Sequence, residues 1–460
     1  MRSSLVLDLL RDYESPNVTC LAADGSWPIV WERARGVEIR DPEGRRYLDL
    51  TAAFGVAAAG HANPRVVRAG QKQMGRLLHA MGDVHPHALK AQLARALSEL
   101  TFERWSRTSA RRTGRPRAPG AAIRGKVIFS NSGFEAVESA LKTALLATNK
   151  PDVIAFAGGY HGLGYGALNA THRELFRSPF LRQLRKFGHF ASFPTAPSEL
   201  GEAKREIQRL FRRHPIGAVL VEPVQARGGI NVPSAGFLPM LRELCDRHQA
   251  LLVADEIYTG FGRTGKWFAC EHFETVPDLI CLGKALTGGF PLSACVGRAD
   301  IMDLAWPVSR GEALHTSTFL GHPVGCAMAL ANLSELRRLR LVQRSARLGR
   351  QLLDRLTRLP MTGGLALTAR GLGLMCGLEL RRHDGSPAGR ETFVIVKEML
   401  RRGWVVLPEG EHGNVLGFTP PLVITERQLE RAVRVLVEVL AKTQAAGAEP
   451  GDGARSVRKP

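Results

Sequence analysis

The sequence predicts an α/β protein organised around a mostly parallel sheet, with a smaller α+β region after it. Three observations carry this. From Lys126 onward, short apolar runs alternate with amphipathic stretches, strand then helix, repeatedly. After about Pro323 the pattern changes to one or two helices followed by shorter strands and helices. The chain has 460 residues, 44% of them hydrophobic and 23% charged, enough to bury a large core in two or three structural units.

The elements follow in order. Met1 to Asp12 sets Asp8 and Asp12 among leucines and reads as a short amphipathic helix, not a secretory signal. Val37 to Asp49 alternates around the turn sequence Asp41-Pro42-Glu43-Gly44 and predicts a hairpin. Pro64 to Leu78 and His87 to Leu100 carry helical patterns. Arg104 to Lys126 is arginine-rich and interrupted by Pro, Gly and Ser, which predicts an exposed loop. Strands are expected at Val127 to Phe129, Val153 to Phe156, Gly217 to Val221, Leu251 to Asp255 and Leu279 to Leu282, with helices at Glu135 to Leu146 and Leu238 to His248. Helices follow over Val324 to Leu356, then a strand at Gly371 to Leu380, a helix at Arg390 to Arg402, a strand at Val405 to Leu407 and a helix at Thr425 to Ala441. The polar, Gly/Pro-rich tail from Ala446 to Pro460 is expected to be disordered. The sequence shows no internal repeat.

Composition bounds the function. No apolar run approaches the ~20 residues that a membrane span requires. Cys20, Cys245, Cys270, Cys281, Cys295, Cys326 and Cys376 are scattered, mostly inside apolar runs, without a CxxC pair or metal-ligand spacing. That predicts buried thiols in a reducing, cytoplasmic setting and no metal centre. The net charge of +20 raises the question of nucleic acid. The arginines are spread along the chain, and the two densest stretches, Arg104 to Lys126 and Glu335 to Arg358, do not interleave aromatics with basic residues. A solvated basic surface is expected, able to attract anionic small molecules.

Chemistry concentrates between Leu251 and Gly297. An apolar run ends in Asp255, and twenty-nine positions later a second apolar run ends at Lys284, just ahead of Gly288-Gly289. Taken singly, a lysine after a strand is ordinarily a surface residue, and an aspartate at a strand end a turn residue. As a pair they suit an aldehyde cofactor. The lysine forms a Schiff base, and the carboxylate keeps a ring nitrogen protonated so that the ring can take up electrons. Between them, Gly260-Phe261-Gly262-Arg263-Thr264-Gly265-Lys266 fits the first seven positions of a nucleotide-binding P-loop. The next residue is Trp267 where a P-loop needs Ser or Thr for magnesium, and no amphipathic helix opens there, so this reading is set aside. Upstream, Phe129-Ser130-Asn131-Ser132-Gly133-Phe134 leads from a strand through a Ser-Gly turn into a helix. Amides at such a helix start bind phosphate well, although Ser132 alone would read as an N-cap.

From about Trp31 to Leu440 these blocks resemble the class III pyridoxal-phosphate aminotransferases, the family of ornithine, acetylornithine and 4-aminobutyrate aminotransferases. The resemblance implies fold-type I: a large domain with a mostly parallel seven-stranded sheet flanked by helices, and a smaller α+β domain drawn from both termini. The expected divisions are 1–63 as an N-terminal part of the small domain, 64–323 as the cofactor-binding domain with a basic loop insertion at 104–125, 324–445 as the rest of the small domain, and 446–460 as tail. It implies that pyridoxal 5′-phosphate is held at its phosphate by Ser132, Gly133 and Phe134, although most members carry a small or hydroxylic residue where Phe134 stands. Gly159-Tyr160-His161-Gly162 resembles the ring-stacking element, with Tyr160 on one ring face and His161 structural. In Glu222-Pro223-Val224-Gln225, Glu222 would orient neighbouring groups and Gln225 would sit near the ring hydroxyl. Asp255 would meet the ring nitrogen, and Lys284 would be both Schiff-base lysine and proton shuttle. His315-Thr316-Ser317-Thr318-Phe319 resembles the segment by which Thr318 reaches a partner's cofactor phosphate, so a homodimer is implied. The implied reaction is a ping-pong transfer of an amino group between an amine or amino-acid donor and a keto-acid or aldehyde acceptor. Aminomutases and racemases share the framework and stay open as alternatives.

Two positions depart from the family's pattern. Amino-acid-processing members usually carry an acid two residues after the glutamine; here that residue is Arg227, in Gln225-Ala226-Arg227-Gly228-Gly229. They usually carry an arginine before the C-terminal Pro-Pro, where it grips the α-carboxylate and pairs with that acid as a switch; here Gly417 stands there. Either the carboxylate site has moved to Arg227, or the substrate lacks the usual carboxylate. A charged hydrogen bond contributes about 1.5–3 kcal/mol, roughly 10- to 150-fold in affinity, which favours a role for Arg227. Phe54 matches a substrate-contacting position and would place an apolar ring there.

Overall fold

The computed structural model describes residues 1–22, 24–113, 123–359 and 364–447. Its centre is a seven-stranded sheet in the order Gly125–Ser130, Ser293–Arg298, Leu279–Leu282, Leu251–Asp255, Ile216–Val221, Asp152–Phe156, Gly188–Ala191. Ser293–Arg298 runs antiparallel to both of its neighbours, and the pairings from Leu279–Leu282 out to Gly188–Ala191 are parallel. Helices cover the sheet, and the inner strands are buried throughout, as a parallel sheet packed on both faces requires.

The five strands expected in this sheet are present, within a residue or two. Gly188–Ala191 and Ser293–Arg298 are additional. Both contain Gly and polar residues and lack a long apolar run. Ser293–Arg298 is made a strand by its neighbours, pairing over its whole length with Gly125–Ser130.

Parallel register brings the chemistry together. Asp255 lies opposite Cys281, three residues before Lys284, and Ala254 lies opposite Val221, one residue before Glu222. The ends of these strands therefore deliver Glu222, Asp255 and Lys284 side by side at the carboxyl edge of the sheet, where open α/β sheets hold their ligands.

The N-terminal strands Arg33–Arg35, Glu38–Arg40 and Arg46–Asp49 form a second sheet, completed by Trp404–Val405 in parallel with Arg46–Asp49. A third, antiparallel sheet has the order Leu365–Leu372, Met375–Arg382, Val415–Phe418, Leu407–Glu409. The single strand expected over Gly371 to Leu380 is in fact the end of one strand and most of the next. Leu372 pairs with Met375, so Gly373-Leu374 is a two-residue turn, and Gly373 supplies the positive φ of 55° at its first position.

The basic stretch expected as a loop from Arg104 begins as helix, Phe102–Thr113. Two aromatic anchors explain it: Phe102 and Trp105 are buried edge-on at 5.3 Å, and Trp105 meets Phe268 at 5.7 Å. The middle of that stretch, 114–122, and the expected tail from 448 lie outside the described residues.

The P-loop-like string is a structural joint. Arg263 is fully buried and donates from Nη1 to the carbonyls of Leu374 at 3.0 Å and Pro420 at 2.6 Å. Lys266 Nζ donates to the Glu271 carbonyl at 2.7 Å. Gly349, in the helix Leu341–Thr357, lies against the backbone of Gly373, so a Cβ there would collide with main chain. Alanine gains roughly 1 kcal/mol of helix propensity over glycine. A backbone contact cannot yield as a flexible side chain does, so overpacking wins. Gly349→Ala should lower stability by about 1–3 kcal/mol, measured by chemical denaturation.

Candidate active site

The structure gathers Gly133, Phe134, Tyr160, Glu222, Arg227, Asp255 and Lys284 around one cavity of about 360 Å³. His161, Leu163, Ile257 and Tyr258 complete the wall. Larger hollows lie elsewhere, one of them lined by Arg35, Arg46, Tyr47 and Trp404, but they lie away from the carboxyl edge of the central sheet.

Lys284 follows the strand Leu279–Leu282 with a left-handed backbone, φ 39°, uncommon for a side chain of this size and frequent where geometry is imposed by function. Its Nζ lies 4.3 Å from the centre of the Tyr258 ring. Burial pushes the amine below the usual lysine range, against the pull of the Asp255, Glu222 and Glu409 carboxylates. Tyr258 is fixed in turn: its hydroxyl is 3.1 Å from Thr419 Oγ1, and Gly55 faces its ring, where a Cβ would stand 2.9 Å away.

Asp255 is buried and held from two sides. Oδ2 lies 2.7 Å from His161 Nδ1, and Oδ1 accepts from the Ile257 amide at 3.1 Å. His161, read from sequence as structural, is thus the residue that orients the carboxylate. Glu222 accepts from the amides of Tyr160 at 3.0 Å and Ala226 at 3.1 Å, and burial pushes its carboxyl up to about 7. Tyr160 is therefore tied through its backbone to the neighbouring strand end.

The strand Gly125–Ser130 leads into the helix Gly133–Thr148. The Glu135 carboxylate accepts from the amides of Asn131 at 2.7 Å and Ser132 at 2.8 Å. Ser132 Oγ is buried without a hydrogen-bond partner among the described residues, a donor waiting at a helix N-terminus. Phe134 turns its ring away onto Gly162 and Gly164, where any Cβ would collide with it. An aromatic fits this turn because the facing loop is glycine.

Other expected site residues stand apart. Gln225 is buried behind the wall, donating to the Ala157 carbonyl at 2.6 Å and accepting from Asn231 at 3.0 Å. Phe54 is 48% exposed within a left-handed turn, Ala52–Gly55, all four residues having positive φ. Thr318 is exposed and is not part of this cavity's wall. Sequence reading missed Glu409. It is buried, its Oε2 lies 3.6 Å from Arg227 Nε, and burial pushes its carboxyl up to about 7 against the pull of Arg227, Lys284 and Arg173. A glutamate in a turn-like Pro-Glu-Gly-Glu string carries no signal of such a position.

The model of the family "Aminotransferase class-III" matches residues 21–440. A putrescine aminotransferase of Pectobacterium atrosepticum is 34% identical over 95% of this chain and 88% of its own length. An acetylornithine aminotransferase of Methanosarcina mazei is 34% identical over 90% of this chain and 92% of its own. Among solved structures, a PLP-bound amine transaminase from an uncultivated Pseudomonas species superposes with a TM-score of 0.80 at 29% identity, covering 94% of this chain and 98% of that one. The chain belongs to the class III aminotransferases. It is a pyridoxal-phosphate-dependent transaminase of the fold-type I architecture.

The residues present fit that cofactor. A phosphate has the orphaned Ser132 hydroxyl and a helix start, a flat ring has Tyr160, and an aldehyde has a buried lysine, its amine pushed below the usual range, in the same cavity as a buried carboxylate. Burial favours the uncharged amine, so Lys284 should shed its proton at lower pH than a free lysine. Competitive acetylation of the apoprotein with peptide mapping should show Lys284 reactivity rising with pH and levelling off below the ordinary lysine value of 10.5. A midpoint at or above that value would contradict the assignment.

Proposed function

We propose that this transaminase moves an amino group between an amine or amino-acid donor and a keto acid, with Lys284 as the covalent anchor of the cofactor and the base that moves the proton. The observation that carries the reading is the pairing of Lys284 and Asp255 at adjoining strand ends, one an amine that burial favours as neutral, the other a carboxylate fixed by His161. Bound in this cavity, pyridoxal phosphate supplies an aldehyde to capture the amine and a ring to take up the electrons left at the neighbouring carbon.

The chain's residues do the rest. Asp255 holds the proton on the ring nitrogen. Ser132 and the amides of Gly133 and Phe134 bind the phosphate. Tyr160, held through its amide by Glu222, would stack on one ring face, and Gln225 would back the ring hydroxyl. With the cofactor bound, Lys284 Nζ would be the base that moves the proton between the two carbons, a task suited to one mobile amine whose proton affinity burial lowers. Arg227 lines the cavity and takes the substrate carboxylate that a side chain at Gly417 would otherwise bind.

Homodimerisation and a cytoplasmic setting belong to the same reading. The segment leading to Thr318 presents Val308 and Leu314, 95% and 77% exposed, an apolar surface that a second copy would cover. Six of the seven cysteines are buried and free, as suits a reducing compartment. Among the described residues no helix is long and apolar enough to cross a membrane.

Lys284→Ala should abolish borohydride-dependent attachment of the cofactor, read by mass spectrometry, and should slow amino transfer by at least roughly 10²-fold. Retained transfer would sink the assignment. Arg227→Ala should raise the KM for the keto acid about 10- to 150-fold, read in steady-state kinetics. An unchanged KM would remove Arg227 from the substrate site.

A further inference from the structure

We infer that Arg173 joins Arg227 to form a two-guanidinium site for a carboxylate of the substrate, with the Glu409 carboxylate as the internal anion that holds the site when no substrate carboxylate is there. The inference rests on the reading of Arg227 given above and adds two residues that no motif contains.

Both arginines sit on one pair of aromatic rings. Arg227 Cζ lies 5.4 Å from the centre of the Tyr160 ring, Tyr160 meets Phe176 edge-on at 5.6 Å, and Arg173 Cζ lies 5.5 Å from the centre of the Phe176 ring. Both are also engaged by one short turn. Glu409 Oε2 lies 3.6 Å from Arg227 Nε, the Gly410 amide donates to the Arg227 carbonyl at 3.1 Å, and the Glu411 carbonyl accepts from Arg173 Nη2 at 3.2 Å. Three consecutive residues thus hold the two cations against the Tyr160 wall.

The site is built but not satisfied. A guanidinium carries five N–H donors. Arg227 Nε is buried without a hydrogen bond, and its contact with Glu409 is longer than a hydrogen bond. Arg173 makes one side-chain hydrogen bond among the described residues, to the Glu411 carbonyl. The Glu411 carboxylate also pulls on Arg173 but is exposed to solvent, so in the buried part of the site the two guanidiniums share the single carboxylate of Glu409, a positive balance that an incoming carboxylate would offset, with planar forks suited to it. Burial and the nearby Arg227 push the Arg173 guanidinium below its usual range, against the pull of the Glu411 and Glu409 carboxylates.

Glu409 reaches this position because position 417 is glycine. A Cβ built on Gly417, on the neighbouring strand, would stand 3.0 Å from Glu409 Cγ. A larger side chain at 417 would contest that space. The glycine and the buried glutamate therefore belong together: this chain holds its anion on the C-terminal hairpin and its cations on the Tyr160 side.

The test uses the full-length holoenzyme with an amine donor that carries no carboxylate, and 2-oxoglutarate or pyruvate as acceptor in separate arms. Arg173→Gln should raise the acceptor KM roughly tenfold or more, with the change in KM rather than kcat, and Arg173→Lys should recover part of it. Glu409→Gln, which keeps the volume and removes the competing charge, should lower that KM. L-Glutamate and L-alanine as donors show whether an amino-acid carboxylate uses the same site: the same variants would then shift the donor KM in the same directions. If Arg227→Gln raises the acceptor KM while Arg173→Gln and Glu409→Gln leave it unchanged, this inference fails and the single-arginine reading stands. If Arg227→Gln has no effect, both fail. A Glu409→Gln enzyme with a raised acceptor KM would overturn the role of internal anion, and that variant decides the question should Arg173→Gln not fold.

Discussion

One buried guanidinium holds the two walls of the pocket in register. The wall that carries Asp255, Tyr258 and Lys284 comes from the central sheet, and Glu409 and Thr419, which contact Arg227 and Tyr258 of the pocket, come from the C-terminal sheet and the segment after it. Arg263 passes between them, donating to Leu374 and Pro420 carbonyls. Burial lowers its pKa to about 10, so it stays charged at neutral pH. Hydrogen bonds from a charged donor contribute about 1.5–3 kcal/mol each. They offset a desolvation cost that two further buried nitrogens, Nε and Nη2, do not recover from any described hydrogen bond. A group this costly is favoured where position matters more than stability. Here it fixes the height of Thr419, hence the Tyr258 hydroxyl, hence the ring beneath Lys284.

Glycines around this joint serve the same end. Gly265 lies against Ala346, Gly373 against Thr264 and Gly265, and Gly349 against Gly373, in each case too close for a Cβ. Main chain meets main chain, and such contacts have no rotamers through which to relax. The string that matches a phosphate-binding loop in spelling is therefore glycine-rich for packing, and its lysine is occupied by a carbonyl. The Ser132 turn, by contrast, has an orphaned hydroxyl and a helix behind it. The two loops differ in what their polar groups are already doing, which the sequence does not spell out.

What was legible in the sequence was local. Asp255 and Lys284 could be picked out because each ends its own apolar run, and parallel register then sets them side by side. The alternation of strands and helices gave the core of the sheet for the same reason. Gly188–Ala191 and Ser293–Arg298 escaped because short strands with Gly and polar residues take their conformation from neighbours already in place. The helix at Phe102–Thr113 was hidden by its arginines, although Phe102 and Trp105 anchor it. Arg173, His161 and Glu409 were illegible as site residues because each acquires its meaning from a segment distant in sequence: Glu411, Asp255 and Arg227 respectively.

The same distinction explains how a chain can depart from its family at two charged positions and keep the chemistry. The reacting centre is fixed by strand register, which no single side chain sets. The charges of Arg227 and Glu409 are carried on a loop and at the end of a hairpin strand, where a sign can change as long as its partner changes with it. Arg227 without a nearby carboxylate would leave a guanidinium beside Lys284, opposing protonation of its amine further, and Glu409 without Arg227 would be a buried carboxylate with less to hold it ionised. Each makes the other tolerable, and Gly417 gives the glutamate its space. The departures at 227 and 417, separate when read along the chain, meet at Glu409.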